Sequence, residues 1–136
     1  MVEIDKVAES IIQKYKGDST LTDALTGLYL HQAPQDATLP YGIFYFNGIT
    51  TDEIMGGADS NVTDVAIQFS LFDDSDDGCS NMAALITYLT TTFDWTDLVM
   101  DGWNCVKFSR ENVMPLTFTD EVWQAVIDYS LWMQKE

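Results

Sequence analysis

From Val62 to Phe72 the chain reads VTDVAIQFSLF, in which Val65, Ile67, Phe69 and Leu71 are separated by single residues and Ala66, Gln68 and Ser70 fall between them. Successive side chains of a β-strand point to opposite faces, so this alternation fits a strand with one apolar face; a helical stripe recurs every three to four residues instead. The same period returns in MPLTFTDEVWQAVIDYSLW (114–132), read as one long strand. Trp123, Ala125, Ile127, Tyr129 and Leu131 share one face there, and Gln124, Asp128 and Ser130 the other. Two strands of this kind need a cover over their apolar side, which restricts the chain to a layered fold.

The remaining segments supply the sheet partners and the cover. YGIFYFNGI (41–49) is aromatic and β-branched on both faces and reads as a strand. It is joined to 62–72 by the glycine-bearing TTDEIMGGADSN (50–61), so the two form a hairpin with a long loop. WNCVKFSRE (103–111) reads as a further strand. At the start of the chain, Ile4, Val7, Ala8, Ile11, Ile12 and Tyr15 lie at helical spacing before Gly17. A short second helix follows, capped by Ser19 or Thr20 and ended by Gly27, with Leu21, Leu25 and Leu28 turned inward. HQAPQDATLP (31–40) is a loop, and CSNMAALITYLTTTF (79–93) a third helix with Met82, Leu85, Ile86 and Leu89 on one side. DWTDLVMDGW (94–103) is a connecting segment. The expected order is α-α-β-β-α-β-β, an α+β fold with an antiparallel-rich four-stranded sheet and the helices packed on one face. A length of 136 residues, 46% of them hydrophobic, suits one domain over 1–136 with a core of ordinary size.

Chemistry is harder to find. FDDSDDGCSNM (72–82) opens like a calcium loop, with Asp73, Ser75 and Asp77 at the first, third and fifth places and Gly78 at the sixth. The twelfth place, where an EF-hand needs a bidentate glutamate, holds Ala84, and a strand rather than a helix precedes it. The acids are better explained as a helix start, with Asp76 or Asp77 capping and the others solvated near the positive end of the dipole. His31 is the single histidine and reads as a surface or hinge residue, and no GxSxG marks a nucleophile. Gly56 and Gly57 precede no lysine of the P-loop kind, and the carboxylate pairs Asp52–Glu53 and Asp73–Asp74 sit in expected loops. No enzyme, metal or cofactor is expected. Cys79 and Cys105 lack CxxC spacing. With no apolar run in MVEIDKVAES to mark a signal peptide, they are expected as two reduced thiols in a cytoplasmic product.

Twenty-two acidic against six basic residues give a formal charge of −16, which repels phosphate backbones and anionic membrane surfaces alike. No segment approaches the roughly 18 to 20 apolar residues of a membrane span. Four tryptophans invite a binding role, although Trp123 on its strand face fits core packing. Trp132 and Met133, so near the end of the sequence, point to cover by a neighbouring subunit.

Taken whole, KVAESIIQKYKGDSTLTDALTGLYLHQAPQDATLPYGIFYFNGI resembles the opening of the tail completion, or tail terminator, proteins of long-tailed bacteriophages. In that family a first helix leads to a proline-bearing AP element, here Ala33-Pro34, and then to an "lPy" element entering the first strand, here Leu39-Pro40-Tyr41. VTDVAIQFSLFDD is similar to the family's second strand and SNMAALITYLTTTF to the helix after it, so the likeness spans nearly the entire chain. The resemblance implies a structural ring, typically a hexamer, at the head-proximal end of the tail tube. Such a ring stops tube polymerisation and meets the neck or head completion protein. The implied location is the virion tail after assembly in the host cytoplasm, with DNA passing through the lumen without specific binding. Interface residues are expected on the hairpin loop, at Asp52, Glu53, Ile54 and Met55, and at the acidic turn, at Asp73, Asp74, Asp76 and Asp77. Trp132 and Met133 complete the set. Charge alone fits equally a small acidic inhibitor, an immunity protein or DNA mimic that blocks a basic enzyme. Another neck or head–tail connector ring is the third reading.

Overall fold

The computed structural model describes residues 3–53, 61–74, 80–114 and 116–135. Helices α1 (Ile4–Lys16) and α2 (Ser19–Ala24) lead into strands β1 (Leu28–Leu30), β2 (Tyr41–Glu53) and β3 (Asn61–Asp73). Helix α3 (Ser80–Phe93) follows, and β4 (Trp103–Val113), β5 (Thr117–Thr119) and β6 (Val122–Lys135) close the chain. The fold is α+β, and the strands form a mixed six-stranded sheet in the order β1-β2-β3-β6-β4, with β5 also paired to β6.

The expected four antiparallel strands are therefore six, and both additions have a local reason. β1 is three residues long, too short to display a period, and it runs parallel to β2 with Tyr29 beside Ile43. β5 was hidden in the long run ending at Trp132. Asp120 and Glu121 both adopt positive φ (53° and 64°), a two-residue reversal that sets Thr119 opposite Val122 and splits the run into a hairpin. The hairpin between β2 and β3 is also longer than expected, because Glu53 still pairs with Asn61. Thr50–Glu53, expected in the loop, belong to a strand. A bulge between Phe46 and Gly48 breaks the β2 register once.

Alternation sorts the side chains as expected. Val65, Ile67, Phe69 and Leu71 of β3 and Ala125, Ile127, Tyr129, Leu131 and Met133 of β6 are buried on the face that meets the helices. Phe69 is the hub of an aromatic cluster, 5.1 Å from Phe93 of α3, 5.5 Å from Tyr129 and 5.9 Å from Phe44. Phe108 of β4 extends it, 4.9 Å from Tyr129. From α1, Val7, Ala8, Ile11 and Tyr15 are buried, and the Tyr15 hydroxyl donates to the Leu25 carbonyl at 2.6 Å. The cap of α2 is Asp18 rather than Ser19 or Thr20. One carboxylate oxygen accepts from the Leu21 amide at 3.1 Å and the other from the Thr92 hydroxyl at 2.7 Å, so a single residue caps α2 and ties it to α3, which a serine or threonine oxygen could not do as well. Among the described residues no helix is long and apolar enough to cross a membrane.

Gly42 shows how closely these layers approach. A Cβ there would lie 3.0 Å from Leu71 and 3.1 Å from Leu28, so β2 can sit between them only without a side chain. Gly42→Val is expected to cost about 1–3 kcal/mol by overpacking. Phe69→Ala is expected to cost about 3–5 kcal/mol by leaving a cavity. Urea unfolding checks both: equal midpoints for Phe69→Ala and wild type would mean that the cluster is not the core.

Candidate functional site

The expected interface residues do not form one patch. Asp52 and Glu53 lie at the far end of β2, opposite Val62 and Asn61. Ile54 and Met55 lie outside the described residues, as do Asp76 and Asp77 with their expected capping role. Asp73 and Asp74 lie at the other end of the sheet, Asp73 being paired in register with Trp123. Asp73 is no solvated loop acid, since it is 3% exposed and accepts a hydrogen bond from the Asn81 amide at 2.8 Å. Asp74 is exposed. Met133 is 0% exposed, covered by its own core rather than left open at the surface. Trp132 is on the opposite side of β6 and 37% exposed, with the Lys107 ammonium 4.3 Å from its ring centre.

Trp132 belongs to the sheet face turned away from the buried clusters. Registers define its rungs: Thr50, Asp64, Trp132 and Lys107 form one, and Tyr45, Gln68, Asp128 and Asn112 another. The Ser130 hydroxyl donates to Asp64 at 3.0 Å, and Asn47 donates to Gln68 at 2.8 Å. Asp128 fares worse. Its Oδ1 is buried without a hydrogen-bond partner, and the Asn112 amide on the same rung donates to the Met114 sulfur instead. Burial raises the carboxyl above its ordinary range.

The two sheet margins differ in chemistry. Beside β4, the Asp94 carboxylate accepts from the Tyr129 hydroxyl at 2.6 Å and lies 3.5 Å from the Arg110 guanidinium. Burial and this bond drive the Tyr129 hydroxyl far above its usual titration range. The next residue, Trp95, has φ 57°, donates its amide to the Phe108 carbonyl of β4 at 2.7 Å, and leaves its side chain 73% exposed. Val99, 88% exposed, follows in the same segment, and its carbonyl accepts from Ser10 of α1. Beyond β1, at the other margin, an open groove of about 500 Å³ is lined by Ile12, Leu28, Leu30, Pro34, Gln32 and Gln35 among others, none of them charged. His31 is exposed and stacks on Tyr45 with ring centres 6.5 Å apart. Sequence reasoning missed Trp95. Its signal was an aromatic residue in a segment without any period, DWTDLVMDGW.

A cleft of about 490 Å³ between α1 and Asp97–Asp101 mixes Lys6 and Lys14 with Glu9, Asp97 and Asp101, so its charges nearly cancel. Among the described residues no three histidine, cysteine or acidic side chains come together as metal ligands would. Cys105 is a free, half-buried thiol whose titration is pushed up by burial.

Comparison with known proteins defines the class first by fold. Over 90% of its length the chain superposes on 90% of a chain from a solved structure, the virion of a native gene transfer agent (GTA) particle, with a TM-score of 0.70 at 12% identity. A second solved chain matches the full length, 97% of its own, with a TM-score of 0.61 at 13% identity. No protein-family model matches the sequence, and no curated protein matches it either. At such identities the likeness is one of fold.

Asp128 yields a test of the open face. An acid whose folded-state titration is raised destabilises the fold when ionised, and the penalty fades as pH falls and the carboxyl takes up its proton. Asp128→Asn is expected to stabilise the chain at pH 7 by about 1 kcal/mol, the low end for an unpaired buried group because the carboxyl is still partly hydrated. The gain should shrink toward zero at acid pH. Thermal unfolding of both chains at pH 7 and near pH 4 checks this; a gain independent of pH would show that ionisation is not the cause.

Proposed function

We propose that this chain is a structural protein of a phage-like virion, and that it forms the ring that terminates the tail tube and joins it to the neck. The observation that carries the proposal is the whole-chain fold likeness to a chain of a gene transfer agent virion. The tail-terminator motifs, Ala33-Pro34 and Leu39-Pro40-Tyr41, support the finer reading, since the latter opens β2 and the former lines the groove beside β1.

The physical form of the molecule is compatible with ring building. A ring closes through two different surfaces on each subunit, related by rotation. The chain offers two unlike margins on the opposite edges of one sheet, and a sheet face not packed against the helices. The net charge of −16 would keep DNA from adhering as it slides through a lumen lined by acids. The partners in this reading are five further copies, the tail tube protein below and the neck or head completion protein above. Asp74, just past the end of β3, and Asp52 and Glu53, at the end of β2, sit at opposite ends of the sheet, where they would meet those two different neighbours.

The test is light scattering and negative-stain microscopy of the purified chain, alone and mixed with tail tubes. Closed rings of about six subunits that cap tube ends are expected. A strict monomer that ignores tubes and instead captures a basic protein, with affinity collapsing in salt, would replace this function with that of an acidic inhibitor.

A further inference from the structure

Asn47–Gly48 is the one Asn–Gly pair in the sequence, and the fold sets it at the bulge of β2. Such a pair is chemically reactive. The backbone nitrogen after an asparagine can attack the side-chain carbonyl carbon, forming an N–Cγ bond and closing a five-membered ring. The Cγ–Nδ2 bond breaks, and the proton given up by the attacking nitrogen leaves with ammonia. Water then opens the ring to aspartate or isoaspartate. A glycine in the second place favours the attack, because no Cβ shields its nitrogen and its backbone turns freely. Inside a regular ladder the reaction is held off, since pairing on both sides fixes the extended backbone.

We propose that Asn47 is a self-modifying site, converted slowly to an acid with water as the sole co-reactant, and that Gln68 restrains the conversion. Three features remove the protection a strand gives. The register steps from Phe46 opposite Ile67 to Gly48 opposite Ala66, so Asn47 is the extra residue of the bulge and pairs with no residue of β3. β1 runs beside β2 only from Gly42 to Phe44, so among the described residues the strand at Asn47 has a neighbour on one side alone. Both residues are exposed, and a Cβ on Gly48 would meet no described atom within 4 Å, so water reaches the amide and no neighbour blocks rotation of the backbone. One restraint remains. Asn47 Nδ2 donates to Gln68 Oε1 at 2.8 Å, a bond that is lost when this nitrogen leaves as ammonia. The product changes the open sheet face. A carboxylate at 47 only accepts, so it cannot donate to the Gln68 oxygen, and it adds a negative charge to the face that holds Asp64 and the unpaired Asp128, which shares a rung with Gln68. The open face of an aged chain thus differs in charge and bonding from that of a new one.

Ageing the purified full chain in mildly alkaline buffer tests the site, with peptide mass spectrometry and isoaspartate labelling read at residue 47. The same chain unfolded in urea gives the rate without any fold. The native chain is expected to convert within about tenfold of that rate, the retardation that one hydrogen bond can supply. Gln68→Ala removes that bond and is expected to speed conversion about two- to tenfold. Gly48→Ala fits without a clash and is expected to slow it at least about fivefold, because a Cβ then stands beside the attacking nitrogen. Circular dichroism should show both variants folded. A native chain still unmodified at 47 after the unfolded chain has converted would mean that the sheet protects its bulge, and would overturn the site. Equal rates for Gln68→Ala and wild type would overturn the restraint, and a Gly48→Ala chain as fast as wild type would overturn ring closure as the route.

Discussion

The hydroxyl of Tyr129 joins the two halves of this protein. Its ring packs between Phe69 and Phe108 in the core, and its oxygen donates to Asp94 just past the end of α3. A buried hydroxyl without a partner would cost about 1–3 kcal/mol, so the bond to Asp94 matters as much for what it avoids as for what it adds. Through it strand β6 is bonded to the residue just after α3, where the chain turns toward β4. Arg110 reinforces the point from the neighbouring strand. Trp95 takes its place beside this arrangement, because the residue before it is held by Tyr129 and Arg110.

From that junction outward, the molecule is a sheet with two unlike sides. The side facing the helices is closed by aromatic and aliphatic contacts and by Asp18, which caps α2 while bonding Thr92 of α3. The Thr92 hydroxyl and the Leu21 amide hold the Asp18 carboxyl below its ordinary titration range, so this tie is firm at neutral pH and is lost only in acid. The other side mixes Tyr45, Gln68, Asp128 and Trp132 and leaves one carboxylate oxygen without a partner. A face that tolerates an unpaired acid at neutral pH has not been optimised for the isolated chain, and this is the kind of compromise found where function sets the residues.

Particular residues show how far the sequence could be read. Alternation in 62–72 and 123–131 predicted the inward faces of β3 and β6 correctly, because a sheet with one buried side punishes any slip of register. The helical spacing of Val7, Ile11 and Tyr15, and of Met82, Leu85 and Leu89, likewise placed the cover. β1 escaped notice because three residues carry no period and its parallel partner lies more than ten residues away. The β5–β6 reversal escaped because Asp120 and Glu121 lack the glycine that usually marks such a turn. Of the expected surface residues, Asp73 was misplaced because an aspartate reads as exposed until a partner such as Asn81 is known. Met133, expected at a subunit contact, is buried because the alternation of β6 continues to the end of the strand and turns it to the inward face.

What the sequence by itself determined is the set of long elements, the inward face of each long strand, and a net charge of −16, since period and charge are local or additive properties. What only the tertiary structure decided is the arrangement of the margins: which strand lies at each edge, that Trp95 projects from one and an uncharged groove opens at the other. Those depend on long-range pairings, β1 with β2 and β4 with β6, and on a hydroxyl of the last strand reaching an acid 35 residues earlier. No window of the sequence contains both partners of such a contact, so its geometry exists only once the chain has folded.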